Sequence, residues 1–265
     1  MNKTSVAILA VLLLITPSVF AQGRGGGGGR GGGQRGGQGG QRAARPSAPV
    51  DFTGYWVSIV TEDWRFRMVT PPKGDYDSVP LTPAGRKVAD NWDPAKDEAS
   101  GEQCRSYGAA AIMRVPGRIN ISWQDDNTMK IETDAGTQTR LFHFDEVQPP
   151  TEERSWQGHS IARWRAAQGG REGRANGESS AGGSLTVTTT HMRPGYLRKN
   201  GVPYSENAVV TEYYNTFKEP NGDQWLVITT LVQDPQFLTQ PFITSTHFKK
   251  QPDQKGWQPS QCSSR

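Results

Sequence analysis

Cysteine is nearly missing from this chain. Cys104 and Cys262 are the only two among 265 residues, too few and too far apart for a zinc pattern. Histidine is also sparse, with four residues. Neither His-x-x-x-His nor Cys-x-x-Cys occurs, so no metal site is expected. A Gly-x-Ser-x-Gly elbow, a phosphate-binding loop and a dinucleotide fingerprint are missing from residues 49–265, and no cofactor is expected. Asp125-Asp126-Asn127 lacks the Gly and the terminal Glu of a calcium loop and reads as a turn. After residue 20 no run is apolar enough to span a bilayer, so no membrane span is expected. Helix signals are scarce, and the first 48 residues contain no Asp or Glu.

What is present at the N-terminus is a pattern for export. Lys3 supplies the positive charge, Val6 to Ile15 is an uncharged apolar run, and Val19-Phe20-Ala21 offers small residues at a cleavage position. Residues 1–21 therefore read as a signal peptide, and the protein as exported, periplasmic or secreted. Residues 22–48 read as a disordered Gly/Arg-rich leader. From Gln22 to Arg42 there are 13 glycines, and such a segment has no apolar surface to offset its ordering entropy. The chain carries 30 Lys and Arg against 26 Asp and Glu, and six of the basic residues lie in the first 48. Residues 49–265 thus hold 24 basic and 26 acidic residues, a formal charge of −2. The alkaline character belongs to the leader, and no nucleic-acid partner is expected.

Residues 49–265 suit one domain. In an oxidising compartment Cys104 and Cys262 are expected to pair and to pin the C-terminal tail. The loop-closure model values so long a loop at roughly 5 kcal/mol.

Strand signals are dense. Alternating or β-branched runs cover 118–123, 129–133, 138–144, 156–164, 185–192, 209–217, 225–232 and 242–249, after an early strand at about 52–60. Turn chemistry separates many of them, as at Asn200-Gly201 and Pro220-Asn221-Gly222-Asp223. The expected fold is all-β, an antiparallel barrel of eight to ten strands. Thr82-Pro83 and Asp93-Pro94 each pair an N-cap with a first-turn proline. They predict two short helices, 83–91 and 94–99, inserted after the first strand. Residues 165–183, with six glycines, read as a surface loop.

Gly54-Tyr55-Trp56 places Gly-x-Trp on the first strand. With the strand series behind it, this resembles the lipocalin and calycin barrels. The resemblance implies that Trp56 plugs the closed end and that a basic residue from a late strand, Lys249 or Lys250, packs on it. Residues 51–262 are also similar to a group of exported bacterial proteins sharing stretches such as Asp134-Ala-Gly-Thr-Gln-Thr-Arg140 and Pro194-Gly-Tyr-Leu-Arg198. That likeness brings no activity with it.

The candidate site residues follow from register. A two-residue turn at Asn200-Gly201 would set His191 opposite Val210 and Thr189 opposite Glu212. His191, Thr189, Glu212 and Tyr214 would then share the inward face with Val187 and Val210. His191 and Glu212 would be close enough for an acid–base pair, with Tyr214 or Arg198 as an electrophilic helper. Pro194, Gly195 and Pro203 threaten that register, because one bulge would flip the faces. In the earlier hairpins Trp123 should pair with Met129 and Ile121 with Ile131. A three-residue turn at 134–136 would then send His143 inward. A two-residue turn at 135–136 would instead send Arg140 and Phe142 inward, and an inward Arg needs a partner or an anionic ligand. The outer face is the more ordinary place for an Arg. Trp123, Arg140, His143, Thr189, Arg198 and Tyr204 are the candidate ligand-binding residues.

These features support three functional readings. The first is an exported binding protein holding a small apolar or aromatic molecule in the barrel cavity. The second is a cavity enzyme, a hydrolase, lyase or isomerase, using His191 and Glu212. The third is an envelope or matrix structural protein tethered by the leader.

Overall fold

A computed structural model describes residues 43–145, 153–165 and 183–264. The signal peptide and residues 22–42 of the leader lie outside the described residues, as does nearly all of the loop read at 165–183.

Nine strands close a barrel: β1 (Gly54–Ile59), β2 (Arg118–Trp123), β3 (Thr128–Thr133), β4 (Thr139–His143), β5 (His159–Arg165), β6 (Ser184–Thr190), β9 (Val209–Lys218), β10 (Gln224–Gln233) and β11 (Phe242–Lys250). The short β7 (Gly195–Arg198) and β8 (Val202–Tyr204) form a separate ribbon. Each barrel strand falls on a run expected to be a strand. The expected antiparallel order needs one correction, since β4 and β5 run parallel. Parity requires it: a closed ring with an odd number of strands cannot alternate direction all the way round.

The register of β2 against β3 is the expected one, with Trp123 opposite Met129 and Ile121 opposite Ile131. Between β3 and β4, Ile131 faces Arg140 and Met129 faces Phe142. That is the register of the two-residue turn, with Gly136 at φ 76 and Thr137 at φ 49. Arg140 therefore points inward, and His143 points outward.

Trp56 is fully buried at the closed end, its indole N–H donating to the Phe52 carbonyl at 2.9 Å. The ammonium of Lys250 lies 4.7 Å over its ring and donates to the Thr53 carbonyl. Lys250, not Lys249, takes the part implied by the lipocalin resemblance; Lys249 pairs instead with Asp223 at 2.7 Å. Gly54 has φ 106, and a Cβ there would meet the Lys250 stem at 3.2 Å, so this position favours glycine twice over. Residues 43–48, read as part of the leader, pack here: Ala44 is buried and its carbonyl accepts from the Trp164 indole at 3.1 Å.

The opposite mouth is covered by residues 60–117, the β7–β8 ribbon and residues 234–241. The expected helices are α2 (Pro83–Asp90) and α3 (Pro94–Ala99), capped by the side chains of Thr82 and Asp93 as their sequences require. A third helix, α1 (Trp64–Arg67), precedes them. The disulfide Cys104–Cys262 is formed and holds the tail beside this mouth. Among the described residues no helix is long and apolar enough to cross a membrane.

Candidate functional site

Inward-facing positions of β4, β5, β6 and β9 bring Arg140, Ser160, Thr189, Glu212 and Tyr214 together inside the barrel. Arg140 holds Glu212 through two hydrogen bonds, Nη1 to Oε1 at 2.9 Å and Nη2 to Oε2 at 2.6 Å. Both side chains have no exposure at all. Nη2 also reaches Thr189 at 3.3 Å, and Thr189 meets Ser160 at 2.7 Å. The Tyr214 hydroxyl donates to Glu212 at 3.4 Å. Burial alone would lower the Arg140 pKa, but the Glu212 carboxylate overrides it and the net direction is upward. Burial, then Glu212, pushes the Tyr214 phenol well above its ordinary value, so it stays a proton donor. Phe142 stands under the guanidinium at 4.9 Å and edge-on to Tyr214 at 5.6 Å. Both carboxylate oxygens are thus committed to one cation.

His191 falls elsewhere. The expected turn at Asn200-Gly201 belongs to the β7–β8 ribbon, where Arg198 faces Val202. β6 pairs with β9 two residues away from the expected register, with Val187 opposite Glu212 and Thr189 opposite Val210. A shift of two keeps each side chain on its face, so Thr189, Glu212 and Tyr214 still point inward. His191 lies past the end of β6, with a left-handed backbone at φ 59.

The remaining candidates are dispersed. Trp123 packs against Phe144 and Trp164 at the closed end, with ring centroids 5.4 and 6.4 Å away. His143 stacks on His159 on the outer face at 5.0 Å. Tyr204 borders a cleft of about 540 Å³ between α2, α3 and the ribbon. Its buried hydroxyl has no hydrogen-bond partner, and burial raises its pKa. In that cleft the charged pair Asp97 and Arg105 is balanced, at 3.0 Å.

Arg198 stands in a different setting, a cleft of about 320 Å³ at the covered mouth. Its walls come from five separate pieces of chain. Phe66, Arg67, Met68 and Val69 belong to α1 and its exit, and Tyr107 and Arg114 to the turns before β2. Arg198 ends β7 and Lys199 follows it, Ala135 lies in the β3–β4 turn, and Ser260 comes from the disulfide-held tail. No carboxylate lines the cleft, whereas Arg67, Arg114, Arg198 and Lys199 all do.

These cations differ in how far they are satisfied. Arg67 binds Glu62, the Arg114 carbonyl at 2.9 Å and Ser58 at 3.3 Å. Arg114 pairs with Asp63 at 3.0 Å through Nη1, leaving Nη2 without a partner. Arg198 donates only Nη1, to the Asp77 carbonyl at 2.7 Å; Nε and Nη2 have no partner. Among the described residues Arg198 has no carboxylate pair. The nearby Asp75 and Asp77 are held by Arg65, at 2.6 and 3.6 Å. The Phe66 ring lies on the Arg198 guanidinium at 3.9 Å, and Lys199 lies 4.9 Å over Tyr107. Burial, then the repulsion of Arg114, brings the Arg198 pKa down to about 10.

Of this cleft the sequence singled out Arg198 alone. Arg114, which closes the apolar run Ala109–Met113, was the one further signal in the sequence that a guanidinium would be enclosed. Among the described residues no three His, Cys, Asp or Glu side chains are grouped to hold a metal ion. The chain matches no family model, no curated protein and no solved structure.

Proposed function

We propose that this protein is an exported binding protein that holds a small organic anion in the cleft at the covered mouth of its barrel. One observation carries the reading: the Nε–Nη2 edge of Arg198, a residue only 3% exposed, has no acceptor. A buried guanidinium donor without a partner costs more than 1 kcal/mol. An oxyanion supplies the two parallel acceptors that this edge is built to meet. The unmet Nη2 of Arg114 and the ammonium of Lys199 add positive potential in a site with no lining carboxylate. The volume is at the lower end of the range for small-molecule sites. The two arginine nitrogens are shielded from bulk water.

The barrel interior does not offer the same chemistry, because its cation and its carboxylate already neutralise each other. Export is supported by the N-terminal pattern and by the disulfide, which belongs to an oxidising compartment.

The test is a thermal-shift comparison of small organic acids with their uncharged amides, using the chain from residue 22. Acids should raise the melting temperature in a concentration-dependent way, as ligands of the folded state do. Amides of the same shape should not. Equal shifts from acid and amide would sink the anion reading.

A further inference from the structure

Six large hydrophobic side chains are exposed among the described residues, and three of them fall in one six-residue stretch: Trp64 at 66%, Met68 at 60% and Val69 at 65%. Met68 and Val69 line the Arg198 cleft. Trp64 is one helical turn before Met68 and so stands on the same side of α1. The stretch is polar only where it must be: Arg65 and Arg67 turn to Asp75 and Glu62. An uncovered apolar ledge at the lip of a cationic cleft has a specific meaning. It is a surface for the non-polar body of whatever places its charge on Arg198.

We infer that the ligand is an amphipathic monocarboxylate. Its head would lie on the Nε–Nη2 edge of Arg198. Its aliphatic or aromatic body would run over Phe66 and Met68 toward Val69 and Trp64. This rests on the anion reading above and adds two statements to it. The first is the charge. Arg67 and Arg114 each have a carboxylate, Glu62 and Asp63, while Arg198 has none. The one guanidinium without a carboxylate of its own takes one carboxylate head on its two-donor edge. The planar two-oxygen head also matches a guanidinium edge without a third oxygen to desolvate. The second is the body. The ledge continues directly from the cleft wall, through Met68 and Val69, so head and body are held by adjoining residues of one short segment.

The experiment is isothermal titration of the chain from residue 22 with straight-chain carboxylates from acetate upward, and with inorganic phosphate. Lipid vesicles containing an anionic phospholipid are tested separately by sedimentation. Affinity should tighten by about two- to fourfold per added methylene until the ledge is covered. The double variant Trp64→Ser, Met68→Ser removes only exposed side chains and should fold unchanged. It should flatten that dependence by weakening the long acids more than acetate. Arg198→Lys keeps the charge but loses the two-donor edge, and should weaken every acid about 10- to 100-fold. If phosphate and acetate bind as tightly as the long acids, the anion site stands and the amphipathic assignment is overturned. If no anion binds at all, both fall. Binding to vesicles without binding of any free acid would also overturn the assignment, and would make the ledge a membrane contact.

Discussion

Arg140 and Glu212 meet in the centre of the barrel through two parallel hydrogen bonds of 2.9 and 2.6 Å, reaching from β4 to β9 across the intervening β5 and β6. Breaking such a pair leaves a charge in an interior that cannot solvate it, which typically costs 3–5 kcal/mol. Replacing both partners by apolar groups of similar size removes the charges together. Arg140→Met and Glu212→Leu are each expected to lose about 3–5 kcal/mol in denaturant unfolding, and the double variant to recover most of it. Additive losses would show that the two side chains act independently, against the geometry.

The barrel was legible because period-two alternation survives in most of its strands, as in β6, β10 and β11. Even the inward face of β9 was readable despite a wrong register. The expected pairing slipped by two residues because 191–208 leave the barrel to form the β7–β8 ribbon, and a slip of two preserves the faces. Arg140 was not decidable, because two turn lengths at 134–136 place it on opposite faces. Only the β3–β4 pairing chooses between them. The cleft was hidden for a different reason. Phe66, Arg114, Arg198 and Ser260 are far apart in sequence and are gathered by tertiary contacts and a disulfide, not by any periodic pattern. The formal charge of −2 on residues 49–265 conceals a local concentration of cations.

Lys250 joins the two ends of the barrel sequence at Trp56. Burial lowers its ammonium pKa, so the charge is partly desolvated, and a cation over an indole gains about 1–2 kcal/mol in such a place. Lys250→Met keeps the stem and loses the charge. It should destabilise by about 1–2 kcal/mol in chemical unfolding, while Lys249→Met on the outer face should change little. Equal effects from the two would remove the special standing of Lys250.

The disulfide acts on the cleft as well as on the fold. Cys104 and Cys262 are 158 residues apart, a loop whose closure is worth about 5 kcal/mol in the chain-entropy model. The bond also fixes Ser260, a wall of the cleft, whose carbonyl and amide bind Thr137 and Asp134 at 2.9 Å each. Tyr107, another wall, accepts from the Ser263 amide at 3.3 Å. The double variant Cys104→Ser, Cys262→Ser should lose several kcal/mol of stability, less than the full entropic figure because those bonds persist. Its amide exchange should rise over 257–264 and its organic-acid affinity should fall. Unchanged affinity with faster exchange would show that the tail is not part of the binding wall.

The pH dependence of binding follows from Arg198. Its folded-state pKa, about 10, lies below the ordinary 12.5. The folded protein therefore binds fewer protons than the unfolded chain between those values, and this group's contribution to stability rises with pH across that window. Below it, the charged guanidinium is a cost to folding that a bound oxyanion offsets. Asp63 and Asp75 hold the charge on, whereas Arg114 and Arg65 work against it. The stabilisation given by an organic acid should therefore be flat from about pH 6 to 9 and fade as pH rises through about 10. It should also fade in acid, as the ligand's own carboxyl protonates near 4. Lys199 lines the same cleft, so the titration is run on Lys199→Gln beside the wild type. An alkaline midpoint that persists without Lys199 assigns the fade to Arg198. A fade that disappears with Lys199 would mean that Arg198 keeps its proton.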